Sequence, residues 1–369
     1  MSSNSKGIDK VFLGIVIILM VIGFTIFVSA SMGILAKNST QFASVVFKQI
    51  FFGIILGGLA CFIFAKIDYK ILKKYALYIL VGSMIFTALV FVPHIGTNLN
   101  TFAKRWISIC GFSFQPVEIL NIGVIVYWAA WLSSIKEKVS TFKFGFVPLL
   151  VIMGIVGALL LAQPDTDSFV IICIALISMF IIAGGKIKYV FILGTLGIIC
   201  ITILAFARPY VMSRIQTFIH PSADSQNAGY QVQQSLIAVG SGEIFGKGLG
   251  QSIQKYQFLP ESISDTIFAV LGEELGFVGC VSIIILFLFF VFFGFRIAIK
   301  SVDPFGGLLV FGIVILTILQ SFINIASVLG IVPFSGLPLA FFSQGGTAMF
   351  MILVQVGIIL SVSRFNKKA

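Results

Sequence analysis

The residues of this chain best suited to chemistry lie in one stretch, FLPESISDTIFAVLGEELGF, from Phe258 to Phe277. It holds the carboxylates Glu261, Asp265, Glu273 and Glu274, in a protein with only 10% charged residues. A carboxylate can take a proton as a general base, hold a cation, or accept N–H bonds at a helix start. Asp265 stands where an N-cap would, just before Thr266-Ile267-Phe268, but Ser262 or Ser264 could cap as well, so capping does not require this many acids. Glu273 and Glu274 lie about two turns further on, and an acid inside an apolar helix is costly unless it faces a cavity or a partner. Asp265 therefore reads as a general base, with Glu261 as a neighbour that tunes it or shares a metal ion.

Other polar groups recur near apolar segments. In KRWISICGFSFQPVEILN, Glu118 and Asn121 are spaced i, i+3 and share a helix face. Glu118 is expected to project into a polar cavity open to the outer side, near Arg105 or another donor. QPDTDS brings Asp165 and Asp167 together; an Asp-x-Asp pair suits a metal-bound nucleotide sugar, but such sugars are cytoplasmic and this loop reads as external. GSGEIFGKGLG would let backbone N–H groups approach a phosphate beside Lys247, or would simply be a flexible turn. It lacks the Gly-Lys-Ser/Thr of a nucleotide-binding loop. His94, His220 and the five cysteines (Cys61, Cys110, Cys173, Cys200, Cys280) match neither a zinc pattern nor a disulfide framework.

The elements that must position these residues are membrane helices. The 369 residues are 59% hydrophobic, and the mean hydropathy is +1.13. Apolar runs near 11–32, 45–65, 75–93, 114–134, 146–163, 167–184, 188–207, 266–294, 305–331 and 341–363 predict an all-α polytopic membrane protein with about ten spans, since helices satisfy their own backbone groups in lipid. The first run is too long for a cleaved signal peptide and reads as a retained span. One membrane domain, 1–369, is expected. Ten spans put sixteen of the twenty-four Lys and Arg residues on one side, which predicts cytoplasmic termini. The net charge of +11 is thus a topology signal, and no nucleic-acid partner is needed. The long connection, about 208–265, falls outside, between the seventh and eighth spans. Its apolar stretch Ser235–Ile244 predicts an ordered cap with a short helix folded onto the bundle.

RWISICGFSFQPVE, QPD, GYQVQQSLIAVGSGEIFGKGLGQSIQKYQFLPE, SDTIFAVLGEELGFVG and GLPLAFFSQGG occur in that order, and through them nearly the whole chain resembles the SEDS family (FtsW, RodA and SpoVE). GLGQSIQKYQFLPE is most like FtsW or SpoVE. The resemblance implies a peptidoglycan glycosyltransferase that polymerises lipid II into glycan strands at the outer face of the cytoplasmic membrane during cell division or growth, at the division septum. A sugar hydroxyl would attack the anomeric carbon of a polyprenyl-diphosphate-linked donor. It implies Asp265 as the essential acid. Substrate contacts would come from Arg105, Glu118, Lys247, Lys255, Glu261 and Ser343, with Lys104 and Arg214 as further cations for the pyrophosphate. A divalent cation (Mg or Mn), with Asp265 and Glu261 as metal candidates, is compatible with the chemistry, and no nucleotide cofactor is implied. The implied partners are a class B penicillin-binding transpeptidase and other division or elongation proteins. Asn121, Thr266 and Gln344 depart from the family's usual Lys, Phe and Tyr. Alternative readings are a lipid II transporter, against which the acids gather at one end rather than the midplane, and a catalytically weak scaffold of the division complex.

Overall fold

The computed structural model describes residues 7–36, 38–93, 96–97, 105–109, 112–207, 209–220, 228–256 and 258–365. In chain order the main helices are α1 (Lys10–Leu35), α2 (Ser39–Lys66), α3 (Ala76–Phe91), α4 (Val117–Ile135), α5 (Phe142–Ala162), α6 (Thr166–Ile182), α7 (Ile187–Ala207), α8 (Pro209–Ile219), α9 (Ala228–Ser241), α10 (Ile267–Ile299), α11 (Pro304–Val328) and α12 (Gly346–Arg364). Among the described residues, 8 helices are long and apolar enough to cross a membrane. The shorter apolar helices α3 and α6 occupy two further predicted runs; with 17 residues, α6 sits near the lower limit for a span.

Burial orders the bundle. The most apolar windows of α12, α11 and the α4 segment are 78%, 72% and 67% buried, against 17% for α7, so the first three form the centre and α7 faces outward. Exposed Phe191 and Phe206 on α7 suit a lipid-facing helix. The α2–α12 contact relies on small residues: a Cβ on Gly357 would come within 2.6 Å of the Cys61 carbonyl oxygen.

At one end, the Asp9 side chain caps α1 by accepting from the Val11 and Phe12 N–H groups, while its own N–H donates to Ser363 Oγ at 3.2 Å. Tyr69 Oη donates to Asp303 at 2.6 Å, and Arg364 donates to the Ala65 and Lys66 carbonyls. The start of α1, the end of α12 and the α2–α3 and α10–α11 turns therefore share one end of the bundle.

Several departures from regular helix lie towards the opposite end. β1 (Gly96–Thr97), β2 (Trp106–Ile109) and β3 (Phe112–Phe114) form a small antiparallel sheet in order β1-β2-β3, with Ile107 opposite Gly96 and Phe114. This small sheet is an addition to an otherwise all-α membrane fold; open sheet edges need water or protein partners, so they belong outside the hydrocarbon. The expected cap over 208–265 contains α8 and α9, the latter spanning part of the predicted apolar stretch. The last span, expected from 341, starts at Gly346, because the chain is irregular through Phe341 (φ 69°) and Gly345.

α10 is broken from within. Gly276 has φ 66° and ψ −165°, which interrupts the helix hydrogen-bond ladder. The freed groups are taken up by the glycine-rich segment: Lys247 and Gly248 N–H donate to the Glu273 and Glu274 carbonyls at 3.0 Å, and Phe277 and Val278 N–H donate to the Glu243 and Ile244 carbonyls. Re-satisfied backbone is what permits such a break at membrane depth. GSGEIFGKGLG thus serves as a backbone splint, a correction to its reading as a phosphate loop. A Cβ on Gly276 would lie 2.6 Å from the Ile244 carbonyl oxygen, at a φ unfavourable to other residues. Gly276→Ala is expected to cost at least about 1–2 kcal/mol, read as a lower melting temperature in detergent; an unchanged melt would mean the splint is dispensable.

Candidate active site

Asp265 is the penultimate residue of the turn that leads into α10. The N-cap position belongs to Thr266, whose side chain makes no capping bond and instead donates Oγ1–H to the Pro260 carbonyl at 2.8 Å. Asp265 is half-buried, and its Oδ1 has no hydrogen-bond partner. Burial first, and the Glu261 carboxylate second, push the Asp265 pKa up from 3.8 to about 7; contacts with the backbone N–H groups of Asp265 and Thr266 and the charge of Arg214 act the other way. A carboxylate poised there is half ionised near neutrality, as a general base requires. Glu261 is exposed at the start of this turn with φ 49°, and its carbonyl accepts from the Ser264 N–H at 2.9 Å.

The turn is held from two sides. Ser343 Oγ donates to the Ser264 carbonyl at 2.5 Å and accepts the Leu339 N–H at 2.7 Å, while the Gln344 N–H donates to the Ile263 carbonyl at 2.7 Å. Ser343, expected to contact substrate, is buried, and the bonds its hydroxyl makes in this structure support the turn. Gln49, in the π-helical segment Gln49–Leu56 of α2, accepts the Gly345 N–H at 3.1 Å and donates to the Ser343 carbonyl at 3.4 Å. On the other side Asn324 donates to the Asp265 carbonyl.

Beside this turn lies a narrow polar cleft lined by Arg105, Glu118, Asn121, Asp165, Gln320 and Gly336, among others. Asp265 adjoins its wall: a Cβ placed on Gly336 would lie 3.6 Å from Asp265 Oδ2. Glu118 is buried, with Asn121 beside it on the same helix face and in the same cleft. It shares the cleft with Arg105, but the Arg105 ion pair is with Asp165, at 3.8 Å. Arg105 also donates to the Gln163 and Pro164 carbonyls, which fixes the α5–α6 corner. Asp165 caps α6 through the Ser168 N–H; burial raises its pKa, Arg105 opposes that, and its Oδ2 lacks a partner. Asp167 pairs with Arg214 of α8 at 2.7 Å, so the Asp-x-Asp segment ties α8 to the bundle.

Lys247 and Lys255 are not in this cleft. Lys247 Nζ lies 2.7 Å from Glu273 Oε1, and Lys255 Nζ lies 2.8 Å from Glu274 Oε1. The Lys255–Glu274 pair is wholly buried, and Glu274 also accepts from Ser29 Oγ on α1 at 2.6 Å. Glu273 accepts from Ser252 Oγ and the Ile253 and Gln254 N–H groups. Both lysines, expected to face a pyrophosphate, neutralise interior acids instead, because an unpaired carboxylate in an apolar helix would cost more than a solvated one. Lys104 lies outside the described residues. Among the described residues, no three His, Cys, Asp or Glu side chains group as a metal site.

Residues 9–368 match the family described as cell cycle protein, comprising FtsW, RodA and SpoVE. The chain belongs to this family. It is 38% identical over 358 residues to the probable peptidoglycan glycosyltransferase FtsW of Geobacter sp. (strain M18), covering 97% of each chain. It is 34% identical to stage V sporulation protein E of Bacillus subtilis (strain 168) over the full length of both. In fold it resembles a chain from the structure titled "Structural coordination of polymerization and crosslinking by a peptidoglycan synthase complex" (TM-score 0.78, 21% identity, 97% and 98% coverage). It also resembles the rod shape determining protein RodA of Thermus thermophilus (TM-score 0.71, 21% identity, 98% of each chain).

In this FtsW/RodA/SpoVE chain, the supports that sequence reasoning missed are Asn324 and Gln49, together with Gln320, whose Nε2 donates to the Pro338 carbonyl at 3.2 Å. The available signal was an amide inside an apolar run, which must find a partner for the same reason as an intramembrane acid.

Proposed function

We propose that the chain polymerises lipid II into glycan strands at the outer membrane face, with Asp265 as the general base for the attacking sugar hydroxyl. The observation that carries this reading is a half-buried, partner-poor carboxylate just before the start of α10, tuned towards neutrality and set against a polar cleft. At that boundary it could reach a head group whose lipid stays in the bilayer. The relatives named as glycosyltransferases support the reaction class. Glu118, Arg105 and Asp165 would line the sugar-binding side, offering acceptors and one cation to hydroxyl and amide groups. Asp265 and Glu261 are two carboxylates in electrostatic reach of each other; these two would hold Mg²⁺ or Mn²⁺, which when bound would supply positive charge to the leaving pyrophosphate. In keeping with the distribution of basic residues, we place both termini in the cytoplasm and the protein at the septum, beside a class B penicillin-binding transpeptidase.

Purified protein incubated with lipid II in detergent, where no sidedness exists, tests this. Glycan polymer is expected; lipid II left intact, with the same preparation moving it between leaflets of vesicles, would make the protein a transporter.

A further inference from the structure

α11 carries an amide pair one turn apart, Gln320 and Asn324, on the face that meets the irregular segment after the helix. Asn324 is wholly buried, and its single Nδ2 divides its two hydrogens between separate parts of the chain: the Asp265 carbonyl at 2.7 Å and the Leu337 carbonyl at 2.7 Å. Gln320 adds a bond to the neighbouring Pro338 carbonyl at 3.2 Å. Gly336, Leu337 and Pro338 are a wall of the cleft that also contains Glu118 and Asp165. One side chain therefore fixes the spacing between the turn that carries Asp265 and the wall its carboxylate adjoins.

A buried amide that only filled space would be a poor choice in an apolar helix, since its polar atoms cost free energy unless bonded. Asn324 bears that cost in part, because its Oδ1 has no partner. The two donors it gains join elements that no regular secondary structure connects. The bond goes to the main chain of Asp265, so it sets where the carboxylate starts from without touching the reacting atoms.

We infer that Asn324 is a positioning residue for the glycosyl transfer, bridging Asp265 to the Leu337 wall and so holding the base at reacting distance from a hydroxyl bound in the cleft. This rests on the reading of Asp265 as the base. A general base works within about 2.6–3.2 Å of its proton, and a displacement of about 1 Å can cost on the order of 10²-fold.

The test uses full-length protein and measures rates of lipid II polymerisation across substrate concentration. Asn324→Leu removes both donors while keeping the number and branching of side-chain heavy atoms. It is expected to lower kcat about 10²-fold with KM changed less than about threefold, in protein whose gel-filtration profile matches wild type. In the Asp265→Asn background it should add little further loss, since a residue acting through the base has nothing left to position. Full kcat in folded Asn324→Leu, with Asp265→Asn inactive, overturns the inference and leaves the base intact. Losses that multiply in the double variant overturn it too, as they would mark an independent structural role. Full activity in Asp265→Asn removes the base reading and the inference together. Should Asn324→Leu fail to fold, Asn324→Ser, which is smaller and can serve at most one of the two carbonyls, is read by the same criteria.

Discussion

Asp265→Asn protein is expected to polymerise lipid II about 10²–10⁴-fold more slowly than wild type while folding normally. The substitution keeps the size of the side chain and removes its basicity. It separates two roles cleanly, because Asn caps helices about as well as Asp, and because the N-cap of α10 is Thr266 in any case. The melt adds a second readout. With a folded pKa of about 7 against an ordinary 3.8, the folded chain holds this proton more tightly than the unfolded one does. The stability linked to it is complete below about pH 4 and lost as pH rises through about 7. A permanently neutral Asn escapes that loss, so the variant should melt at or above the wild-type temperature at pH 8. Wild-type activity should rise along an acid limb centred near pH 7. Near-normal polymer yield from Asp265→Asn would pass the role of base to Glu261.

The second large effect concerns stability. Lys255→Ala strands the Glu274 carboxylate in the protein interior, with Ser29 Oγ and a long contact from the Ser252 N–H as its remaining partners. Removing one member of a buried ion pair typically costs about 3–5 kcal/mol. A marked fall in melting temperature is therefore expected. Lys255→Met combined with Glu274→Gln should recover much of the loss, since no unpaired charge remains. Were Lys255 instead a ligand for the substrate's pyrophosphate, Lys255→Ala would melt normally and its KM for lipid II would rise. Thermal melts and lipid II concentration dependence on the same samples decide between the two.

How far each feature could be read from the sequence depends on the range of the forces behind it. Hydropathy acts locally, so the apolar runs located the helices, with errors at ends such as Gly346, where an irregular stretch is itself apolar. The fold gathers Asp9, Tyr69, Asp303 and Arg364 at one end of the bundle; the assignment of that end to the cytoplasm rests on the positive charge beside the runs. An acid at the edge of an apolar run is costly wherever the chain goes, so Asp265 stood out as a candidate from sequence alone.

What the sequence could not assign was partnership. The bond between Ser29 and Glu274 spans 245 positions, and that between Gln49 and Gly345 spans 296. Nothing local distinguishes a lysine that meets a phosphate from one that neutralises an interior acid, so Lys247 and Lys255 were open until the loop was seen folded onto α10. Nor does a run of glycines reveal whether its N–H groups face an anion or the carbonyls freed by a break at Gly276. Composition and periodicity determined which residues had to be helical and which polar groups needed a partner. Only the tertiary structure decided which partner each one has, because a buried charge or amide is satisfied by whatever the packing brings within about 3 Å.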